Sequence, residues 1–369
     1  MQAASRSRPV VRARRIHRAR RDARIHRAAP DRAAPSSRPG AVVESFALKA
    51  VVFEKYGPPD VLRLREVPKP VPADGEILVR IHATTVSSGD ARLRALRVPR
   101  GVKLPVRVSR GFFGPRQPIL GFDLAGEIED AGRSVATFTP GDRVIGSAGF
   151  ELGCHAEYRC LPAGGAIAAI PDGIGYDEAV AVCFGGATAL YFLERGNLQR
   201  GERILVNGAS GAVGTMAVQL AKHFGAEVTG VCSARNVELV RSLGADHAID
   251  YASEDFAQNG ETYDVIMDTV GNAPYARVRG SLKPGGLFLM VIGDLVQMIR
   301  GRFQQAVVGS AAKDTELFTA QAFRRLMELA DARALKPVID RTFPLDRIAE
   351  AHALVDSGRK RGAAVIEVS

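Results

Sequence analysis

The chain has 369 residues, of which 46% are hydrophobic and 24% are charged. This size and composition are typical of a folded protein with room for two domains and argue against a chain that is disordered throughout. The formal net charge is +10, but residues 1–40 contain 12 arginines, no lysine and only Asp22 and Asp31 as acids. That segment carries the whole excess, so the charge identifies no nucleic-acid or membrane partner of the neutral remainder.

Residues 1–45 are rich in Arg, Ala, Ser and Pro. We predict a disordered N-terminal arm, because such a segment cannot bury enough apolar surface to offset the entropy of ordering. The composition also fits an organellar transit peptide in part. A reading frame set too far upstream, with Val42 or Val43 at the true start, is a third interpretation.

Four widely spaced cysteines form no Cys-x-x-Cys pair: Cys154, Cys160, Cys183 and Cys232. This spacing argues against a disulfide framework and favours a reducing compartment. No apolar stretch approaches the roughly 18 residues that a membrane span needs. We therefore expect a cytoplasmic protein.

Many short strands with Gly and Pro turns are predicted between residues 46 and 170, which indicates a barrel-like all-β domain. The predicted strands cover residues 48–53, 61–66, 76–83, 120–131 and 143–147.

Strands and helices alternate from residue 171 to about 305, which predicts a doubly wound parallel sheet. The predicted strands cover residues 203–207, 227–231, 246–250, 263–268 and 286–292, and the predicted helices cover 177–192, 215–224 and 237–243. Residues 306–369 return to mixed helix and strand and end in a strand at 363–368.

The motif Gly208-x-x-Gly211-x-x-Gly214 follows a predicted strand and opens a predicted helix. Glycines let the backbone turn tightly and approach a pyrophosphate, and the helix N-terminus offers free N–H groups. The motif therefore predicts a dinucleotide site.

NAD-binding sites usually place an acid about 20 residues after the glycines. Here the strand at 227–231 is followed by Ser233 and Arg235, with no acid between residues 232 and 236. Because arginine suits phosphate oxygens, we predict NADPH and not NADH as the cofactor. The alternative is that Arg235 is a solvated surface residue.

Six further short motifs accompany the glycine turn, at residues 56–59, 121–126, 140–144, 186–190, 243–251 and 283–286. Over residues 48–368 the chain resembles the medium-chain dehydrogenase/reductase superfamily, and most of all its zinc-independent quinone oxidoreductase-like branch. The resemblance implies an α/β protein with a GroES-like β-barrel catalytic domain (46–170), a Rossmann domain (171–305) and a C-terminal return to the catalytic domain (306–369). It also implies a cofactor cleft between the domains and a homodimer.

The resemblance also assigns cofactor contacts. It places Thr188 near the nicotinamide, the glycine turn on the pyrophosphate and three residues at the adenosine end, with others along the channel. Besides Thr188 and Gly208, the residues are Ser210, Gly211, Ala212, Val213 and Gly214 for the pyrophosphate, Ser233, Arg235 and Tyr251 for the adenosine, and Val270, Ile292 and Gly293 for the channel. Relatives often carry lysine at the positions of Asn236 and Ala363, so two cations are missing here.

The positions that ligate catalytic zinc in relatives hold Ser87, Phe122 and Phe184 here. Phenylalanine cannot ligate zinc, so we predict a metal-free site. With Asp90, these residues form the predicted substrate pocket. Phe122 and Phe184 as plain core residues are the alternative.

Two residues are candidates for the proton or charge chemistry. Quinone-branch relatives often show Asp-x-Tyr-x-Arg where this chain has Asp90, Arg92 and Arg94, so Arg92 replaces the tyrosine. Arginine cannot donate a proton at neutral pH but can stabilise a developing oxyanion. His155 is the second candidate, with a structural role as its alternative, and solvent is a third proton source.

Residues 92–118 contain eight cations and no acid, interleaved with bulky apolar residues. This pattern is compatible with a lid over the substrate, a contact with an anionic membrane surface by residues 92–116, or a solvated loop.

The function predicted from these features is hydride transfer from NADPH to a quinone or an α,β-unsaturated carbonyl, without zinc. One alternative is a zinc-independent alcohol or carbonyl oxidoreductase on the same fold. Another is a low-turnover NADPH-binding protein that binds nucleic acid through the arginine-rich arm. We expect a small-molecule substrate and no nucleic-acid partner.

Overall fold

The computed structural model describes residues 47–97, 103–292, 306–308 and 317–368. The predicted arm at 1–45 and the predicted site residue Gly293 lie outside these ranges, as do residues 98–102 of the basic insert. None of the described helices is long and apolar enough to cross a membrane.

The N-terminal part forms antiparallel β structure in two sheets. Strands β1 (Ala47–Phe53) and β2 (Leu62–Pro68) pair with each other. The larger sheet contains β3 (Glu76–Thr85), β4 (Asp123–Ala131), β5 (Arg143–Ser147), β6 (Tyr158–Pro162) and β7 (Ile167–Ala169). Between β3 and β4 lie two short helices, α1 (Ser88–Arg94) and α2 (Lys103–Arg110).

Alternation along β3 explains why this sheet closes around a core. Ile77, Val79 and Ile81 are fully buried and pack with Leu124 and Val144 of the neighbouring strands. Since successive side chains of a strand point to opposite faces, every second residue of β3 reaches this core. The GroES-like domain predicted from the sequence is present.

The second half is a six-stranded parallel sheet with helices. Its strands are β8 (Arg203–Asn207), β9 (Glu227–Cys232), β10 (His247–Asp250), β11 (Tyr263–Asp268), β12 (Leu282–Met290) and β13 (Ala306–Val308). Among the described residues, the helices of this half are α3 (Tyr176–Arg195), α4 (Ala212–His223), α5 (Val237–Ser242) and α6 (Tyr275–Val278).

The strand order β10-β9-β8-β11-β12-β13 is that of a Rossmann fold. It reverses direction between β8 and β11, and in such sheets ligands bind beside the carboxyl ends of the strands at this reversal. Because β13 pairs with β12, the parallel sheet extends past residue 305, where the sequence-based domain boundary was placed.

The C-terminal segment returns to the antiparallel sheet. After α7 (Ala320–Asp331) come β14 (Ile339–Pro344), α8 (Ile348–Asp356) and β15 (Ala363–Glu367). Strand β15 pairs with β3 and with β14. Just before β15, the Gly362 amide donates to the Ser210 carbonyl at 2.9 Å, so this segment also touches the glycine turn.

Candidate functional site

A cleft of about 880 Å³ lies at the carboxyl ends of β8, β9, β11 and β12 and is closed on the other side by α1 and the C-terminal segment. Thirteen of the residues predicted from the sequence line it: Ser87, Arg92, Phe184, Gly208, Ser210, Gly211, Ala212, Val213, Ser233, Arg235, Tyr251, Val270 and Ile292. The predicted nucleotide and substrate residues therefore meet in one continuous space.

The three positions of the motif hold glycine for different structural reasons. Gly208 has φ +85°, and Gly214 packs so closely that a Cβ there would lie 2.1 Å from the Gly208 carbonyl oxygen. A Cβ at Gly211 would meet only that same oxygen, at 3.5 Å. Gly208 and Gly214 are thus required by the fold, whereas Gly211 leaves backbone open to the cleft.

Helix α4 begins at this turn, with Gly211 as its N-cap. The first amides of a helix have no intrahelical acceptor and carry partial positive charge, so those of Ala212 and Val213 suit a phosphate. The turn is braced from below by Asn207, whose side-chain amide donates to Asp268 at 2.9 Å and to Asn272 at 2.8 Å. Asp268 in turn accepts the amides of the loop that presents Val270.

The end of the cleft beyond β9 combines polar and exposed apolar groups. Tyr251 is 66% exposed there. Arg235 donates to the Arg359 carbonyl at 2.8 Å, and Asn236 donates to the Ser210 hydroxyl at 3.0 Å. An exposed aromatic ring and an arginine that line the same end of a cleft suit an adenosine phosphate.

Arg359 and Lys360, which the sequence interpretation missed, also line the cleft. The Lys360 ammonium donates to the Gly362 carbonyl, next to the glycine turn. Burial lowers the pKa of Lys360 to about 8, and Asp340 opposes that shift. The segment approaches the turn only through tertiary folding, so no local sequence signal marks it.

Positive charge dominates the cleft. Its described lining contains six cations, and two of them are paired, Arg97 with Asp356 and Arg277 with Asp255. The other four have no carboxylate within ion-pair distance among the described residues: Arg92, Arg235, Arg359 and Lys360. Four unpaired cations in one cleft favour a polyanionic ligand.

At the opposite end of the cleft, the lining includes Phe184, Ser87 and Arg92. Phe184 is backed by Phe122, with ring centroids 5.7 Å apart, and by Phe318 at 5.8 Å. Arg92 is half-buried, and burial followed by repulsion from Arg97 lowers its pKa. This end joins an apolar wall to one unpaired cation, Arg92, because Arg97 is paired with Asp356.

Two families of known proteins match the two halves of the chain. The alcohol dehydrogenase GroES-like domain matches residues 73–172, and the family described as zinc-binding dehydrogenase matches residues 243–366. The mitochondrial NAD(P)H oxidoreductase RTN4IP1 of Danio rerio is 30% identical over 87% of this chain and 91% of its own length. The quinone oxidoreductase of Pseudomonas aeruginosa is 30% identical over 86% of this chain and 99% of its own.

Among solved structures, the quinone oxidoreductase from Coxiella burnetii superposes with a TM-score of 0.77 at 28% identity, covering 88% of this chain and all of that one. The chain belongs to the medium-chain dehydrogenase/reductase superfamily. Within the superfamily it falls in the quinone oxidoreductase-like branch, as the sequence motifs predicted, and it is an oxidoreductase.

In zinc-dependent relatives, the positions of Ser87, Phe122 and Phe184 hold the ligands of the catalytic zinc. Among the described residues, no three His, Cys, Asp or Glu side chains cluster as metal ligands. The residues at these positions do not fit zinc, because two are hydrocarbon rings that pack on each other. Cys183, next to Phe184, is fully buried, which raises its pKa.

Five predicted site residues lie behind the cleft wall: Asp90, Phe122, His155, Thr188 and Gly214. Asp90 is fully buried and holds Ser87, accepting its hydroxyl at 2.6 Å and its amide at 2.9 Å. Thr188 donates to the Phe184 carbonyl at 2.7 Å and so braces α3. Asp90, Phe122 and Thr188 therefore support residues that face the cleft.

His155 occupies a structural position. It is fully buried, donates from Nε2 to the Thr85 carbonyl at 3.0 Å and packs edge-on against His352. Burial lowers the pKa of His155. With no face on the cleft and a disfavoured charged form, the geometry favours the structural alternative over proton donation.

Proposed function

We propose that this protein is an NADPH-dependent reductase that transfers hydride to a quinone or an α,β-unsaturated carbonyl without a metal ion. The observation that carries the proposal is the cleft itself. It joins a glycine turn and three unpaired cations, Arg235, Arg359 and Lys360, at the nucleotide side to an apolar wall with Arg92 at the other. The family membership supports NAD(P)H-dependent reduction in general, and the finer assignment rests on the residues below.

The preference for NADPH rests on charge. The cofactor's pyrophosphate and 2′-phosphate together carry several negative charges, which match Arg235, Arg359 and Lys360. A site for NADH usually has an Asp or Glu after β9 that accepts from the ribose 2′-hydroxyl. Ser233 and Arg235 line the cleft there and no carboxylate does between residues 232 and 236, while arginine is a donor suited to a phosphate.

The chain's own residues would bind and orient the dinucleotide. The open backbone at Gly211 and the first amides of α4 would hold the pyrophosphate, and Val270 and Ile292 would line the nicotinamide channel. When bound, NADPH supplies a hydride to the acceptor. The protein's contribution is alignment and exclusion of water.

The acceptor would lie between Phe184 and α1. Quinones and enones carry their own electron sink, so they need little polarisation by the protein. Arg92 would stabilise the oxygen that becomes negative as hydride arrives, and solvent would supply the proton. A simple ketone needs stronger polarisation of its carbonyl oxygen than Arg92 alone provides. We therefore rank reduction of simple carbonyls below reduction of quinones and enones.

A substrate panel tests the proposal. Purified protein with NADPH is expected to reduce 1,4-benzoquinones and short enones at a rate about tenfold or more above simple ketones, with kcat/KM for NADPH about tenfold or more above NADH. Addition of a chelator should leave the rates unchanged. Equal use of both nucleotides would reject the phosphate assignment. One tightly bound zinc per chain, or preferential turnover of ketones, would reject metal-free quinone or enone reduction.

Homodimer formation and a cytoplasmic location stay predictions of the family resemblance and the composition.

A further inference from the structure

Two phenylalanines project into solvent from the turn at residues 111–114, which we call the aromatic tip. Phe113 is 95% exposed and Phe112 is 50% exposed, with ring centroids 5.2 Å apart. Val108, in the last turn of α2, is 55% exposed. Bulky apolar side chains that are exposed next to one another are a candidate site of contact with a partner or with lipid.

The backbone fixes the shape of the aromatic tip. Gly111 has φ +123°, and a Cβ there would lie 1.9 Å from the Gly114 carbonyl oxygen. The Arg116 amide closes the turn on the Arg110 carbonyl at 2.7 Å, and the Tyr56 hydroxyl donates to the Gly111 carbonyl at 3.2 Å. The exposure of the rings is therefore built into an anchored turn.

Three arginines of α2 and the following turn lie next to the aromatic tip. In the sequence, residues 100–116 contain five Arg or Lys and no acid. Arg107, Arg110 and Arg116 donate to the backbone carbonyls of Phe112, Phe150 and Ser109. Within the part of the chain that the structure describes, none of these three arginines has a carboxylate at ion-pair distance.

We propose that the aromatic tip inserts into the interface of an anionic lipid bilayer, with the neighbouring arginines on lipid phosphates. A stable protein–protein interface buries about 1,200 Å² or more in total, whereas two phenylalanines and a valine expose only a few hundred. A bilayer needs no matching surface, because shallow insertion of a few bulky residues adds to the attraction between cations and anionic headgroups. None of these residues lines the cleft, so the proposal stands independently of the reductase activity.

The chain contains no tryptophan, which makes a single reporter possible. Full-length Phe113→Trp is expected to show a blue-shifted emission with vesicles that contain about a third phosphatidylserine, and no shift with phosphatidylcholine alone. Val71→Trp is the matched control, because Val71 is 82% exposed in the connector between β2 and β3. Its emission should not shift with either vesicle.

The double variant Phe112→Ser/Phe113→Ser tests the energetic contribution. Its partition onto anionic vesicles should fall about tenfold or more, and its rate with a soluble acceptor should stay unchanged. The arginine-rich arm can bind anionic vesicles by charge alone. Co-sedimentation without a shift at Phe113→Trp would therefore overturn the proposal, as would absence of vesicle binding. A Phe113→Trp emission already blue-shifted without lipid would also overturn it, in favour of contact between copies of the chain.

Discussion

Relatives often carry a lysine at the position of Ala363. In this chain Lys360, three residues earlier, places a cation beside the glycine turn instead. Its ammonium contacts the Gly362 carbonyl, and the Gly362 amide contacts Ser210 of the turn. Arg235 lies farther along the cleft, after β9. The two cations are therefore expected to meet different phosphates, Lys360 the pyrophosphate and Arg235 the 2′-phosphate.

The first prediction separates these two roles. Arg235→Gln should raise KM for NADPH about tenfold and leave KM for NADH nearly unchanged, because only NADPH has a 2′-phosphate. Lys360→Gln should raise KM for both nucleotides by similar factors. Steady-state kinetics with both nucleotides on both variants measures this, and an effect of Lys360→Gln on NADPH alone would contradict the assignment.

The same prediction has a pH arm. Since the pKa of Lys360 is lowered to about 8, its ammonium loses its proton as pH rises through that value, and its attraction for phosphate is lost with it. KM for both nucleotides should therefore increase from about pH 7 to about pH 9, with the midpoint displaced upward where bound phosphate stabilises the charge. Lys360→Arg is the control, because its guanidinium stays charged throughout and should remove this step.

Residues differ in how far the sequence could predict their place. Arg235 follows β9 directly, so a local pattern was enough. Arg359 and Lys360 reach the cleft only because β15 pairs with a strand almost 300 residues earlier, and no local pattern encodes that. The imidazole of His155 is a chemically suitable proton donor. Its burial against His352 follows from the tertiary fold, which no local sequence pattern encodes.

Among the secondary-structure elements, the glycine turn and α4 form the unit that we propose to bind the cofactor's pyrophosphate. The motif spacing predicted this unit but not the different roles of its glycines. Gly214 faces the Gly208 carbonyl at a distance that no side chain tolerates, whereas the position of a Cβ at Gly211 is open. Both glycines read alike in the sequence.

The second prediction uses this pair. Gly214→Ala should lower the melting temperature by about 5 °C or more, because the clash is with backbone that must move. Gly211→Ala, whose φ of −81° suits alanine, should melt close to the parent and bind NADPH about tenfold more weakly, because a methyl group would stand where the phosphate approaches. Thermal unfolding and nucleotide titration measure the two effects. Normal NADPH affinity in Gly211→Ala would show that the dinucleotide does not approach this backbone.

Most elements of the parallel sheet could be predicted because their strands are short apolar runs between glycine-rich turns. The predicted spans of β8 and β11 match the observed ones.

Two predicted boundaries differ from the observed ones because of glycines. The strand predicted over 120–131, in the antiparallel sheet, begins instead at Asp123, because Gly121 has φ +99° and breaks the extended backbone. The helix predicted from residue 215 begins three residues earlier, at Ala212, because Gly211 is the N-cap.

At the scale of the whole molecule, the cleft depends on the return of the chain to its first sheet. The pairing of Val365 with Thr85 sets β15 beside β3. It also brings the segment before β15 onto the glycine turn, so one crossing both completes the antiparallel sheet and supplies cleft cations. Sequence patterns predicted the two halves separately, and only the resemblance to a family predicted that they enclose a cofactor.

The third prediction concerns the net charge of +10, which belongs to residues 1–40. Every described residue that lines the cleft lies between Thr85 and Ala363, and the charge of the remaining chain is balanced. Removal of residues 1–45 should therefore leave kcat and KM for NADPH within about twofold of the full chain, a difference below 0.5 kcal/mol. Any salt-sensitive binding of RNA or DNA should be abolished, because such binding scales with the number of cations that meet phosphates. A filter-binding titration beside the kinetic assay measures both. A truncated protein that keeps nucleic-acid binding would place that activity in the folded body, and a large loss of turnover would give the arm a part in catalysis.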